Sequence, residues 1–144
     1  MRICFDMDGT IADFYNVDNW LDYLTNEDAT PYKIAKPLVN MNVFARVLNK
    51  LQKRGYEIGI ISWLSKSGTE PFNKEVTKVK RDWLNKHLKS VKWDFIEIVN
   101  YGTDKNLVLK TENDILFDDE IGNRKMWRGK AYNVNNIINI LKEV

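Results

Sequence analysis

Two kinds of hydrophobic pattern alternate along this 144-residue chain, and their alternation predicts its architecture. Short apolar runs rich in β-branched residues predict buried strands. These runs cover residues 2–6, 56–62, 94–99, 114–117 and 131–134. Between them, apolar residues spaced three and four apart predict helices with one buried face. The helical segments are residues 42–54, 73–88 and 136–143, with a helical turn at 121–127.

Strands separated by helices favour a parallel sheet covered on both faces. We therefore expect a three-layer, Rossmann-like α/β fold, with residues 1–144 forming a single domain. Residues 14–40 do not fit the alternation, because they are aromatic, acidic at the start, and carry Pro31 and Pro37. We interpret them as a small cap inserted after the first strand and packed over the functional site.

Polar residues at the ends of three predicted strands indicate where that site lies. Asp6 and Asp8 end the first strand, Ser62 ends the second, and the pair Asp118 and Asp119 ends the fourth. Ligands of parallel α/β sheets bind beyond the carboxyl ends of the strands. We therefore expect these side chains to meet there.

The spacing of Asp6 and Asp8 carries the most chemistry. In a strand, side chains at i and i+2 leave on the same side, so both carboxylates can reach one point. Gly9 then allows a sharp turn and a close approach of the backbone. Two adjacent like charges favour a cation or a shared proton. The alternative is an acidic turn without chemistry, since Asp and Gly are common turn residues.

Composition narrows the class of protein further. A formal net charge of +2 gives no strong preference for nucleic acid or membrane. The single Cys4 lies in the first strand, where we expect a buried, inert thiol. No apolar run approaches a membrane span, and Asp6 and Asp8 interrupt any apolar signal segment. We expect a cytoplasmic protein, and the sequence leaves its oligomeric state open.

Four segments of the chain, in order, resemble the motifs of the haloacid dehalogenase-like phosphohydrolases. The first is ICFDMDGT at residues 3–10, and the second is the strand IGIIS ending at Ser62. The third is a lysine, best matched by Lys105, and the fourth is ILFDD at residues 115–119. Together these motifs span nearly the whole chain.

Within that superfamily the chain is most similar to the 5'(3')-deoxyribonucleotidases. Its opening DMDGTIADF is similar to their DMDGVLADF, and residues 72–83 resemble their basic helix with a tryptophan. The chain departs from them in its shorter cap, and Trp63-Leu64 stand where the family carries a smaller pair.

The resemblance implies a division of roles in phosphate ester hydrolysis. Asp6 would be the nucleophile that forms an aspartyl-phosphate, and Asp8 the general acid–base. Ser62 would donate a hydrogen bond to a phosphate oxygen, and Lys105 would neutralise developing charge.

The resemblance also implies a Mg²⁺ site. Its ligands would be Asp6, the backbone carbonyl of Asp8, and Asp119. Asp118 is the alternative ligand, or a partner that supports the ligands from behind.

Other candidates have competing interpretations. Lys80 is the rival of Lys105, but we assign it to the exposed, solvated basic face of its helix. His87 fits a helix C-terminal cap, and Trp83 lies on the apolar stripe of the same helix.

Three aromatic residues of the predicted cap are candidate substrate contacts. Phe14, Tyr15 and Trp20 either pack the cap or stack on a base. We expect a Mg²⁺-dependent phosphomonoesterase acting on a small organic phosphate such as a (deoxy)nucleoside monophosphate. The alternatives are a phosphatase of polynucleotide 3'-ends, disfavoured by the near-neutral charge, and a non-catalytic phosphate-binding or partner-binding module.

Overall fold

The computed structural model describes all 144 residues, and a five-stranded parallel sheet organises them. In chain order the strands are β1 (Arg2–Phe5), β2 (Ala12–Asp13), β3 (Lys36–Pro37), β4 (Glu57–Trp63), β5 (Phe95–Val99), β6 (Ile115–Phe117) and β7 (Lys130–Tyr132). The main sheet has the order β5-β4-β1-β6-β7, and each neighbouring pair is parallel. Strands β2 and β3 form a separate antiparallel pair.

Helices and two short 3₁₀ segments connect the strands. The helices are α1 (Trp20–Thr25), α2 (Thr30–Ile34), α3 (Met41–Lys53), α4 (Glu70–His87), α5 (Ile121–Met126) and α6 (Ile137–Lys142). The 3₁₀ segments are Lys105–Val108 and Val134–Asn136. None of the six helices combines the length and the apolar character that a membrane crossing requires.

The predicted α/β architecture is confirmed, and the predicted strands and helices of the sheet are all present within three residues of their expected ends. The largest shift is at the start of α4. Thr69 caps this helix by accepting a hydrogen bond from the N–H of Phe72 at 3.4 Å. Pro71 fits the first turn because the N–H it lacks has no partner there.

Alternation along the central strands divides the apolar core between the two faces of the sheet. Ile3 and Phe5 of β1 pack in the larger cluster, which includes residues of α3 and α6. Cys4 points to the other face and packs against Val108 and Trp127. The expected burial of the Cys4 thiol is confirmed, and this burial raises its pKa to about 12.

Residues 14–40 form α1, α2 and β3, and they pack on the carboxyl end of β4 and on α4. Phe14 and Tyr32 share an apolar cluster with Leu64 and Phe72. Their assignment as a cap over the site stays a prediction.

Asp114 anchors the opposite, amino-terminal end of the sheet. It is fully buried and accepts hydrogen bonds from the backbone N–H groups of Arg2 (2.8 Å), Lys110 (2.7 Å) and Thr111 (3.0 Å). Burial alone would raise the pKa of this carboxyl, but these donors outweigh it and hold the pKa below the ordinary 3.8. Asp114 therefore joins the start of β1 to the start of β6 in its ionised form.

We expect Asp114→Asn to lower the free energy of unfolding at neutral pH by about 2 kcal/mol, because an amide NH₂ would face backbone donors. Since folding depresses the pKa of Asp114, its contribution is present above the unfolded-state pKa. It is lost as the pH falls through the lower, folded-state pKa. Urea denaturation of both proteins at neutral pH and in acid measures this. A gap that fails to shrink in acid would contradict the assignment.

Candidate active site

The turn after β1 brings two acidic segments together. The N–H of Asp6 donates to the Phe117 carbonyl at 3.0 Å, which continues the pairing of β1 with β6. The N–H groups of Thr10, Ile11 and Ala12 all converge on the Met7 carbonyl at 3.0 Å. Gly9 lies in this turn with φ of 79°, and a Cβ there would collide with Asp119 Oδ2. Glycine is therefore required for the close approach of the two segments.

Three carboxylates meet at this edge of the sheet. Asp6, Asp118 and Asp119 each place an oxygen within 4.8 Å of the others. Asp6 and Asp118 are buried, and Asp119 is the most accessible of the three. Burial and the charges of Asp6 and Asp118 raise the pKa of Asp119 to about 7. Because adjacent carboxylates repel one another, this cluster requires positive charge nearby.

Lys105 supplies part of that charge. Its Nζ lies 3.0 Å from Asp6 Oδ1 and 2.7 Å from Asp118 Oδ2, and the residue is 5% exposed. Burial alone would lower the pKa of Lys105, but the two carboxylates outweigh it and the pKa is raised. The lysine is therefore a fixed positive charge between two acidic strand ends.

Asp118 and Asp119 differ in what surrounds them. Asp118 accepts from the N–H of Glu120 at 2.9 Å and from Asn123 Nδ2 at 3.1 Å, in addition to Lys105. Asp119 Oδ1 has one weak contact, with the Thr10 hydroxyl at 3.3 Å. Of the two, Asp119 is the freer to accept a new ligand.

The prediction that Lys80 is solvated is wrong. Lys80 is 1% exposed, and its Nζ donates to Asp8 Oδ2 at 2.9 Å, Ser62 Oγ at 2.8 Å and the Trp63 carbonyl at 2.8 Å. All three ammonium hydrogens are thus used. The signal was present in the sequence, because Lys80 falls four residues after the buried Val76 on the inner face of α4.

Asp8 and Ser62 meet at Lys80 rather than in the carboxylate cluster. Burial, opposed by Lys80, raises the pKa of Asp8. Ser62 is fully buried and accepts from Lys80, and it is not among the residues that line the neighbouring cavity. The structure therefore brings both rival lysines to the site, Lys105 beside Asp6 and Lys80 beside Asp8.

A cavity of about 640 Å³ opens in front of these groups. Its lining includes Asp6, Asp8, Lys105, Asp118 and Asp119, together with six aromatic residues.

The three aromatic residues expected as substrate contacts all line this cavity, with unequal access. Phe14 is 2% exposed and stacks on Tyr32, so much of its role is packing. Tyr15 is 51% exposed and packs edge-on against Trp20. Three further cavity aromatics, Tyr32, Trp63 and Tyr101, were missed, although Trp63 directly follows Ser62 at the strand end.

Trp83 and His87 lie outside the cavity. Trp83 is 3% exposed, and its indole N–H donates to the Ala35 carbonyl at 2.8 Å, so the expected core position is confirmed. His87 is the last residue of α4, and its ring lies 4.5 Å from that of Trp83.

Comparison with known proteins identifies the fold and no closer family. No family model matches the chain, and no curated protein matches it. A chain in the structure of the Pnkp1/Rnl/Hen1 complex is similar with a TM-score of 0.55 and 17% identity. The match covers 92% of this chain and 44% of that one, so this chain spans less than half its length.

The D,D-heptose 1,7-bisphosphate phosphatase of Burkholderia thailandensis is similar with a TM-score of 0.57 and 10% identity. The match covers 99% of this chain and 96% of that one. These likenesses show the fold alone, an α/β, Rossmann-like parallel sheet.

We expect Lys80→Met to lower the free energy of unfolding by about 3 kcal/mol, because it strands the Asp8 carboxylate and two further acceptors. Lys78→Met is the matched control, since Lys78 lies on the same helix and pairs with Asp82 in solvent. Urea denaturation should find the control unchanged. Equal stabilities of the two variants would contradict the buried ion pair.

Proposed function

We propose that this protein is a Mg²⁺-dependent phosphomonoesterase that hydrolyses a nucleoside monophosphate through an aspartyl-phosphate on Asp6. The observation that carries the proposal is Lys105 bridging Asp6 and Asp118, with the accessible Asp119 in the same carboxylate cluster. The likeness in fold to a heptose bisphosphate phosphatase supports phosphate ester chemistry.

The residues present fit a divalent cation. The four carboxylates of Asp6, Asp8, Asp118 and Asp119 carry two more formal charges than the ammonium groups of the two buried lysines can balance. The donor atoms of the cluster are carboxylate oxygens, which Mg²⁺ prefers.

We assign Asp6, Asp119 and the backbone carbonyl of Asp8 as the protein ligands of the ion. Asp118 is the weaker candidate, because Lys105, Asn123 and a backbone N–H already occupy its oxygens. When bound, Mg²⁺ would supply positive charge for the phosphate oxygens.

The side chains divide the hydrolysis into two displacements at phosphorus. In the first, an Asp6 oxygen forms a bond to phosphorus as the ester P–O bond breaks, and protonated Asp8 gives its proton to the leaving alkoxide. In the second, Asp8 takes a proton from a water molecule. The oxygen of that water forms a bond to phosphorus as the Asp6–phosphorus bond breaks, which releases orthophosphate.

The two lysines have separate parts in this proposal. Lys105 stabilises charge on the transferring phosphoryl group beside Asp6, and Lys80 holds the Asp8 carboxylate in place. We propose Ser62 as a donor to a phosphate oxygen. Its hydroxyl oxygen would then accept from Lys80 while its hydrogen is donated to the phosphate.

We expect wild-type protein with Mg²⁺ to hydrolyse p-nitrophenyl phosphate, and EDTA to abolish turnover. Asp6→Asn should lower kcat by at least about 10³-fold, because an amide cannot replace the nucleophile. Release of p-nitrophenol measures both effects.

The matched control is Asp82→Asn, because Asp82 is an exposed aspartate on α4 that lies outside the cavity. Its rate should equal that of the wild type. A wild-type protein inert across a broad panel of phosphate esters would refute the proposed activity and favour the non-catalytic module.

A polynucleotide 3'-end is the second candidate substrate. It is favoured by the exposed Lys66 among the cavity residues and by the likeness in fold to a chain of the Pnkp1/Rnl/Hen1 complex. If it is correct, a 3'-phosphorylated oligonucleotide should have a lower KM than the matching nucleoside 3'-monophosphate. Its KM should also rise steeply with salt, because each phosphate contact releases counterions.

A further inference from the structure

Two aromatic side chains at the edge of the cavity have no part in the proposed chemistry. Trp63 is the last residue of β4, and its indole N–H donates to the Thr103 carbonyl at 2.8 Å, which fixes the plane of the ring. Tyr101 packs on it, with ring centroids 4.9 Å apart and an angle of 57° between the planes. Tyr101 is 53% exposed, so much of this residue remains open to a ligand, with Lys66 Nζ 6.0 Å from the centroid of its ring.

The position of this pair relates it to the reacting groups. Lys105 Nζ lies 5.3 Å from the centroid of the Trp63 ring and 3.0 Å from Asp6 Oδ1. The indole of Trp63 and the carboxylate that we propose as nucleophile therefore both lie close to Lys105 Nζ. A phosphate ester held at Asp6 must place its alcohol portion in the cavity that this ring lines.

We propose that Trp63 and Tyr101 form the surface on which the planar base of a nucleoside monophosphate stacks; this inference rests on the proposed function. The cavity of about 640 Å³ is far larger than a phosphate group requires and is within the range of small-molecule sites.

The chemistry of the pair suits the planar face of a base. The indole N–H of Trp63 is already bonded to Thr103, so this residue has no free donor for a hydroxyl group of the ligand. Every nucleobase has a face that stacks on an aromatic ring, and this stacking tolerates any base. The pair therefore selects for the presence of a base and discriminates little among bases.

The test compares Tyr101→Ala with Tyr101→Phe, which keeps the ring and removes only the hydroxyl. Substrates are the deoxynucleoside 5'-monophosphates, glycerol 2-phosphate and glucose 6-phosphate. We expect Tyr101→Ala to raise KM for each nucleotide about tenfold with kcat nearly unchanged. It should leave the two base-free esters unaffected, and Tyr101→Phe should behave as the wild type.

A binding measurement keeps the inference separate from catalysis. In the Asp6→Asn background, calorimetric titration with deoxyadenosine monophosphate should give a Kd about tenfold higher when Tyr101→Ala is added. Glycerol 2-phosphate should bind both proteins equally.

The outcomes distinguish this inference from the proposed function. Turnover of all three substrate types with equal kcat/KM, or an equal rise in KM for all of them in Tyr101→Ala, would overturn the base surface and leave the phosphatase standing. An inert wild type would refute the phosphatase, and the titration would still test the surface. An oligonucleotide preferred to every mononucleotide would overturn the assignment to mononucleotides.

Discussion

Repulsion among carboxylates at one end of the sheet is the constraint on which the site is built. Four aspartates, which follow the ends of β1 and β6, lie at this edge. Without compensating positive charge, the repulsion among their carboxylates would destabilise this arrangement. Compensation comes from Lys80 on α4 and Lys105 on the 3₁₀ segment, which approach from different parts of the chain. The packing of those two segments on the sheet is therefore coupled to the electrostatics of the site.

Asp118 and Asp119 follow β6, and their carboxyl groups have different partners although their oxygens lie within 4.8 Å of each other. The protein itself supplies partners to Asp118, whereas Asp119 faces the cavity with little more than a weak contact to Thr10. One buried aspartate thus orients the lysine, and its neighbour remains available for a ligand.

Local signals in the sequence were enough for the fold and for several residues of the candidate site. Strand and helix periodicity predicted the sheet, and the spacing of Asp6 and Asp8 predicted two aspartates at its edge, of which Asp8 contacts Lys80 and lies outside the carboxylate cluster. Lys80 was misassigned because a lysine in a basic helix suggests solvent, even though its spacing from Val76 placed it on the inner face.

Contacts between distant segments were beyond such reasoning. Trp63 and Tyr101 lie in separate segments, and the pairing of their rings depends on β4 and β5 lying side by side. No periodicity along the chain encodes which of several aromatic residues will line a common cavity. The same holds for the hydrogen bonds from Thr69 to Glu27, which join the start of α4 to the segment between α1 and α2.

The pairing of β2 with β3 affects how the segment between these two strands can change in evolution. Ala12 pairs with Pro37 and Asp13 with Lys36, so the chain leaves the sheet region and returns to it at nearly the same point. The entropy of closing a loop rises only slowly with its length once the ends are held together. Evolution could therefore lengthen, shorten or replace the intervening helices while the aspartates keep their places. Under the proposed function, a new preference for the alcohol portion of the ester could arise without changing those aspartates.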